Sequence, residues 1–325
     1  MKPIAPIELA ALNTIGHDLN RPECVLCTSD GVVYVSDWAG GVCRIPPRGR
    51  QTRILARNPP VDLKPNGIAL LEDGSFLLAN LGDDGGVWQL ASDGSLRPFL
   101  TQIDSVPLPP TNFVLADSSE RIWVTVSTRV EPRANAYRSD IGDGFIALVD
   151  AKGARIVADG LGYTNEVQLH PSGKWLYVNE TFARRTSRMR LGRDGGLGPR
   201  ETVTEYGPGT FPDGLCFDEA GGFWIVSLVS NRVVRVAPDG RQTILLEDVD
   251  AEFLETVEAA FQSGRMGRSH LDSISSERLG STSSIAFGGP ERRLSYLGCL
   301  LSRHIMSFEA PVAGIAPVHW HWRMR

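Results

Sequence analysis

The chain has 325 residues, 42% of them hydrophobic, and a net charge of −5. That balance offers no basic surface for nucleic acid, and no run of 18 apolar residues marks a membrane span. With 34 Gly and 21 Pro, turns are frequent, as an all-β protein of many short strands requires.

The stretch before Glu23 shows neither the apolar core nor the small-residue cleavage site of a secretory signal. The five cysteines stand at 24, 27, 43, 216 and 299. Cys24 and Cys27 lie three apart on a strand and so face opposite sides, and no second C-x-x-C follows, so all five read as reduced core thiols. The expected compartment is cytoplasmic.

In chain order one unit recurs: a polar first residue, a strand, a Gly/Pro/Ser turn and a second strand. The copies are Glu23–Asp37, Asn66–Asn80, Asn112–Ser127, Tyr163–Thr181, Asp213–Ser227 and Ser284–Gly298. A repeat of about 40–50 residues built of short strands predicts a β-propeller, here of six blades. In blade one the expected strands are Cys24–Thr28, Val32–Ser36, Gly41–Pro46 and Gln51–Ala56. In blade two they are Gly67–Leu71, Ser75–Ala79, Gly86–Leu90 and Ser95–Leu100. Blade three begins at Phe113 and resumes at Gly144–Asp150 after the long loop Thr128–Asp143. Blade four adds Thr186–Leu191. Blade five reads Gly214–Asp218, Gly222–Ser227, Arg232–Ala237 and Gln242–Leu246. Blade six shows Ser284–Phe287, Leu294–Gly298 and Arg303–Phe308 but lacks a fourth strand, which N-terminal residues are expected to supply, closing the ring. The whole chain, 1–325, is expected to be a single domain. Its one insertion, 248–282, carries a helical stripe of Val249, Phe253, Leu254, Val257 and Phe261, with Asp250 as N-cap and Gly264 as stop. This helix either packs on the rim or forms a lid.

Strand parity puts the first residue of every repeat on one face, the top, near the axis. The longest loops, Thr128–Asp143, Ile103–Thr111, Glu180–Arg185 and the insertion, fall there too, so the top is the expected functional face. Glu23, Asn112, Asn165 and Asp213 would converge there. Two carboxylates and two amide carbonyls make a hard oxygen cage suited to a divalent cation, Ca²⁺ foremost, with Zn²⁺, Mn²⁺ or Mg²⁺ as alternatives. The competing reading is that such Asn and Asp residues only form turns; Asn66 is read as a turn former first and as an outer-shell group otherwise. Arg129, Arg133, Tyr137 and Arg138 lie in the long third-blade loop, as solvated charge or as a binding element. His170 and the tail pair His319 and His321 read as packing residues. No G-x-S-x-G, H-E-x-x-H or P-loop motif occurs.

The pattern resembles the SMP-30/gluconolactonase/LRE-like family of six-bladed, metal-dependent lactonases. The resemblance runs from about Glu23 to Phe308. It is carried by Thr164-Asn165 through Glu180-Thr181, Arg184-Arg185, Phe211-Pro212-Asp213-Gly214-Leu215, and Ser284 through Pro290. It implies a divalent ion held by Glu23, Asn165 and Asp213, with Asn112 in the metal shell or lining the substrate site. Sugar-lactone relatives carry Arg and Asp where this chain has Pro110 and Phe113, and Gly where it has Cys24 and Glu166. These departures favour a less polar or differently shaped small-molecule substrate. The expected activity is hydrolysis of a lactone or related ester. Asp213 is the expected general base or nucleophile, and Arg129, Tyr137, Glu180 and Asn112 are expected substrate contacts. A non-hydrolytic binding propeller, a strictosidine-synthase-like enzyme and a phosphotriesterase are the alternatives.

Overall fold

A computed structural model describes residues 4–273 and 276–323. The expected domain over 1–325 and the insertion over 248–282 also take in residues 1–3, 274–275 and 324–325, which lie outside the described residues. The architecture is a six-bladed propeller of four-stranded antiparallel sheets. Its innermost strands are Val25–Cys27, Pro65–Leu70, Phe113–Ala116, Thr164–Leu169, Thr210–Phe217 and Thr282–Gly288. Blade six takes its outermost strand from the N-terminal residues Asn13–Ile15, which pair antiparallel with Ile305–Glu309. The ring is closed as expected, and blade six, like the others, has four strands.

Blades three and four also carry outer strands that the sequence did not reveal, Gly153–Leu161 and Leu197–Glu205. Both are half-exposed, and the second is mostly polar. In the interior, strands are buried on both faces, so their side chains are mainly Val, Leu, Ile and aromatic residues. Two bottom turns show how a blade is pinned. Asp117 and Asp218 each accept backbone N–H bonds within their own turn, and each takes the indole N–H of a tryptophan six residues on, Trp123 and Trp224. Both tryptophans are fully buried.

The insertion forms a helix at Ala251–Gln262, capped by Asp250, whose Oδ1 accepts the Phe253 N–H (2.8 Å). Val257 and Phe261 face inward. Gly264 follows with φ +66°, which a residue with a Cβ adopts only at a cost. A second short helix, Arg268–Leu271, was not expected. All five cysteines are free. Among the described residues no helix is long and apolar enough to cross a membrane.

Candidate active site

Three inner strands carry the same irregularity at the top. Their ladders skip between Pro65 and Ile68, between Thr164 and Val167, and between Pro212 and Leu215. Each gap is a β-bulge of two residues against one, and the bulged pairs are Asn66-Gly67, Asn165-Glu166 and Asp213-Gly214. A bulge bends the strand and re-aims its side chains. At Gly67 and Gly214 a Cβ would sit 2.6 Å from the Phe113 Cα and 2.7 Å from the Ser284 Cα. The neighbouring blade therefore approaches too closely for any side chain. Where blade four has Glu166 instead, a carboxyl enters the axial region.

The expected cage residues are all buried: Glu23, Asn112, Asn165 and Asp213, the last only 3% exposed. A belt of hydrogen bonds links the blades. Asn66 Nδ2 donates to Asn112 Oδ1 (2.5 Å), Asn112 Nδ2 to Asn165 Oδ1 (2.9 Å), Asn165 Nδ2 to Thr181 Oγ1 (2.9 Å), and Thr181 Oγ1 to the Pro212 carbonyl (2.8 Å). Asn179 Nδ2 reaches the Asp213 carbonyl, and Ser283 Oγ reaches the Glu23 carbonyl. Asn66 is thus a belt member, not a turn former as expected, and its own Oδ1 is buried without a donor. Arg21 Nε donates to Glu23 Oε2 (3.1 Å), and its guanidinium lies over the Trp38 ring.

The Asp213 carboxyl accepts no hydrogen bond among the described residues. Burial, then the like charges of Glu23 and Glu166, push its pKa well above the carboxylate range. Glu166, 5% exposed, accepts the Leu215 N–H (3.0 Å), and burial raises its carboxyl to about 8. No three His, Cys, Asp or Glu side chains among the described residues form a metal cluster. The candidate donor set is different in kind: two carboxylates plus amide oxygens. A buried carboxylate with no hydrogen-bond donor among the described residues and a second carboxylate near it suit a hard divalent cation, whose charge would offset both acids.

Two approaches lead to this cluster. From below, a cavity of about 390 Å³ runs along the axis from Glu166, Cys24 and Ser284 down to His170 and the tail segment Ile315–His319. On the side of the long loops, an apolar cap packs around Phe211, two residues before Asp213. Tyr137 stacks on Phe182 (4.6 Å between centroids), Tyr163 meets Phe182 edge-on, and Phe261 of the inserted helix packs edge-on against Phe211 (5.3 Å). Arg184 bridges the helix to the propeller, bonding both Glu258 oxygens at 2.8 Å.

The other expected substrate residues lie elsewhere. Tyr137 is buried in the cap. Arg129 forms a two-point pair with Asp159 (2.8 and 2.9 Å). Glu180 is enclosed by Arg185, Arg200, Ser187 and the Gly162 N–H. Burial pushes its carboxyl up, but the bonds from Arg185, Gly162 and Ser187 outweigh this and hold it below the usual range. Neither Arg129 nor Glu180 has an axial partner. The sequence missed the roles of Arg21 and Glu166. For Glu166 the signal was present, a charged residue where the repeat has Gly67 and Gly214.

Residues 21–247 match the family described as SMP-30/Gluconolactonase/LRE-like region. A 6-deoxy-6-sulfogluconolactonase from Pseudomonas putida is 30% identical over 225 residues, covering 67% of this chain and 72% of that protein. Among solved structures, regucalcin from Agrobacterium tumefaciens, described as a calcium-binding protein, superposes with a TM-score of 0.67 at 17% identity, covering 96% of this chain and 97% of that one. A gluconolactonase from Xanthomonas campestris gives a TM-score of 0.67 at 17% identity, covering 96% of each chain. The two structural likenesses concern the fold, while the matched residues concern descent. The chain belongs to the SMP-30/gluconolactonase/LRE-like family.

Proposed function

We propose that this protein is a metal-dependent lactonase. The observation that carries the reading is the Asp213 carboxyl, buried without a hydrogen-bond donor beside Glu23 at the convergence of the blades. The family supports an enzyme of lactonase or esterase type. Glu23, Asn165 and Asp213 would hold a divalent cation, Ca²⁺ first, with Asn112 in or beside its shell. Such a cation, when bound, polarises an ester carbonyl and lowers the pKa of water.

The protein's own groups do the rest. Asp213 is the candidate general base, because its free oxygen has no competing donor. Arg21 fixes Glu23 from behind, and the amide belt fixes the rotamers of Asn112 and Asn165. The aromatic cap excludes bulk water, which strengthens every charge interaction beneath it. We place the inserted helix over the site as a lid, since Phe261 rests on Phe211, two residues before Asp213. A sugar-derived lactone, the class named for the Pseudomonas relative, is the first substrate to test.

The test is a panel of lactones and esters followed by pH-stat, with chelator and then with Ca²⁺, Mn²⁺, Zn²⁺ or Mg²⁺ restored. Turnover lost on chelation and recovered with a divalent ion is the expected result. Turnover indifferent to chelator defeats the metal dependence, and no turnover of any lactone or ester favours a binding propeller.

A further inference from the structure

Arg133 stands out among the cations near the axis. It opens a short 3-10 turn, Arg133–Ala136, within the long third-blade loop. Its Nε and Nη2 both donate to the Tyr163 hydroxyl, at 3.0 and 2.7 Å. Its Nη1 is buried and finds no acceptor. The guanidinium has no carboxylate partner in hydrogen-bond or ion-pair contact among the described residues, yet it is close enough to Glu23 and Asp213 for their charges to be felt. Its anchor is held by a costly backbone: Tyr163 has φ +65°, and its phenol is kept neutral by burial. Tyr163 leads directly into Thr164-Asn165 of the cage.

A part-buried guanidinium with one N–H group buried and unused costs stability unless something binds it. The local charges indicate what that is. Arg21 already pairs with Glu23, and Arg133 adds a second positive charge beside Glu23 and Asp213. With a divalent ion present, the positive charges outnumber the negative ones. A guanidinium with one free edge recognises planar or tetrahedral oxyanions.

Building on the lactonase reading, we propose that Arg133 is the anion-recognition residue of the site and that the substrate is a lactone carrying an anionic substituent, a sulfonate or a carboxylate, which takes the free Nη1 edge under the aromatic cap. Tyr163 is the positioning residue that presents the guanidinium.

The test compares wild type, Arg133→Gln, Arg133→Lys and Tyr163→Phe, all as full chains with calcium present. Substrates are glucono-1,5-lactone and its 6-sulfonate and 6-carboxylate counterparts. Wild type is expected to prefer an anionic lactone, and the sulfonate and carboxylate arms identify which. In Arg133→Gln the anionic-to-neutral ratio of kcat/KM should fall about 10- to 100-fold, the range for losing a hydrogen bond to a charged group, mainly through KM. Arg133→Lys should retain part of the preference. Tyr163→Phe, which keeps the charge but releases its anchor, should lose part of it, and it serves as the informative variant if Arg133→Gln does not fold. An unchanged ratio, or equal loss on neutral and anionic lactones, overturns the assignment. Calorimetric titration with methanesulfonate and with acetate needs no turnover. If no lactone reacts, the lactonase reading falls. The anion site then stands if either probe binds wild type and not Arg133→Gln, and falls if neither binds or if both proteins bind alike.

Discussion

Replacing Asp213 with Asn is expected to stabilise the metal-free protein while disabling it. The carboxyl is buried, accepts no hydrogen bond among the described residues, and feels the like charges of Glu23 and Glu166. Holding a carboxyl buried among like charges, with its pKa pushed up, costs the metal-free fold stability near neutral pH. An isosteric amide escapes that cost but leaves some of its own hydrogen bonds unmade, so a gain within the usual range for a point substitution, about 1–3 kcal/mol, is expected. At about 2.1 cal/mol/K per residue, a chain of 325 residues has a melting entropy of roughly 0.7 kcal/mol/K. The chelated variant should therefore melt about 2–4 °C above wild type. The sign with pH is definite. A carboxyl whose folded pKa is raised binds more protons folded than unfolded, so wild-type stability falls as pH rises above about 4 and toward the folded value. The variant lacks that slope, and its advantage should grow from pH 5 to pH 7. Calcium reverses the order. At a hundred times its Kd a ligand adds about 2.7 kcal/mol, or about 4 °C here, and the variant, with one charge fewer, gains less. Turnover at saturating metal should drop about 10²–10⁴-fold, as for loss of a general base. Differential scanning calorimetry with chelator and with calcium, alongside pH-stat kinetics, measures all three. A variant that melts below wild type in chelator, keeps the full calcium shift and turns over normally would refute the reasoning.

Asn165→Ala removes an oxygen and breaks the belt between Asn112 and Thr181. Calcium affinity should weaken by at least about 10-fold, and excess calcium should restore part of the rate; a calcium titration followed calorimetrically checks this. Phe261→Ala removes the ring that joins the inserted helix to Phe182 and Phe211. A loss of about 3 kcal/mol in urea unfolding is expected, and an unchanged midpoint would mean that the helix does not hold the cap. Burial lowers the His319 imidazole to about 4 against an unfolded value near 6.5. A depressed His pKa means that the unfolded chain takes up the proton first. Stability should thus be lost as pH falls from about 6.5 toward 4, by roughly 3 kcal/mol in full. His319→Gln should flatten that part of the melting-temperature profile, and an unchanged profile would argue against a buried neutral imidazole.

The repeat itself was legible in the residues. Each copy is a local hairpin, and its signals, such as the turns after Asp117 and Asp218, depend on neighbours a few positions away. The need for a closing strand followed from the missing fourth strand of blade six, and the inserted helix from Asp250, the apolar stripe and Gly264. The outer strands Gly153–Leu161 and Leu197–Glu205 were not legible, because half-exposed edge strands lose the alternation of apolar and polar residues. The site divides the same way. That Glu23, Asn112, Asn165 and Asp213 share one repeat position is a property of the sequence. That Glu166 joins them depends on a bulge, a one-residue change of register that local pattern does not encode. Arg129, Arg133 and Tyr137 were indistinguishable as residues of one long loop. Only tertiary contacts assign Arg129 to Asp159, Tyr137 to the cap, and Arg133 to Tyr163 beside the axis. Those partners are about 30 residues away or more, and which of them a side chain meets is settled by how adjacent blades pack, a long-range constraint absent from any short window of sequence.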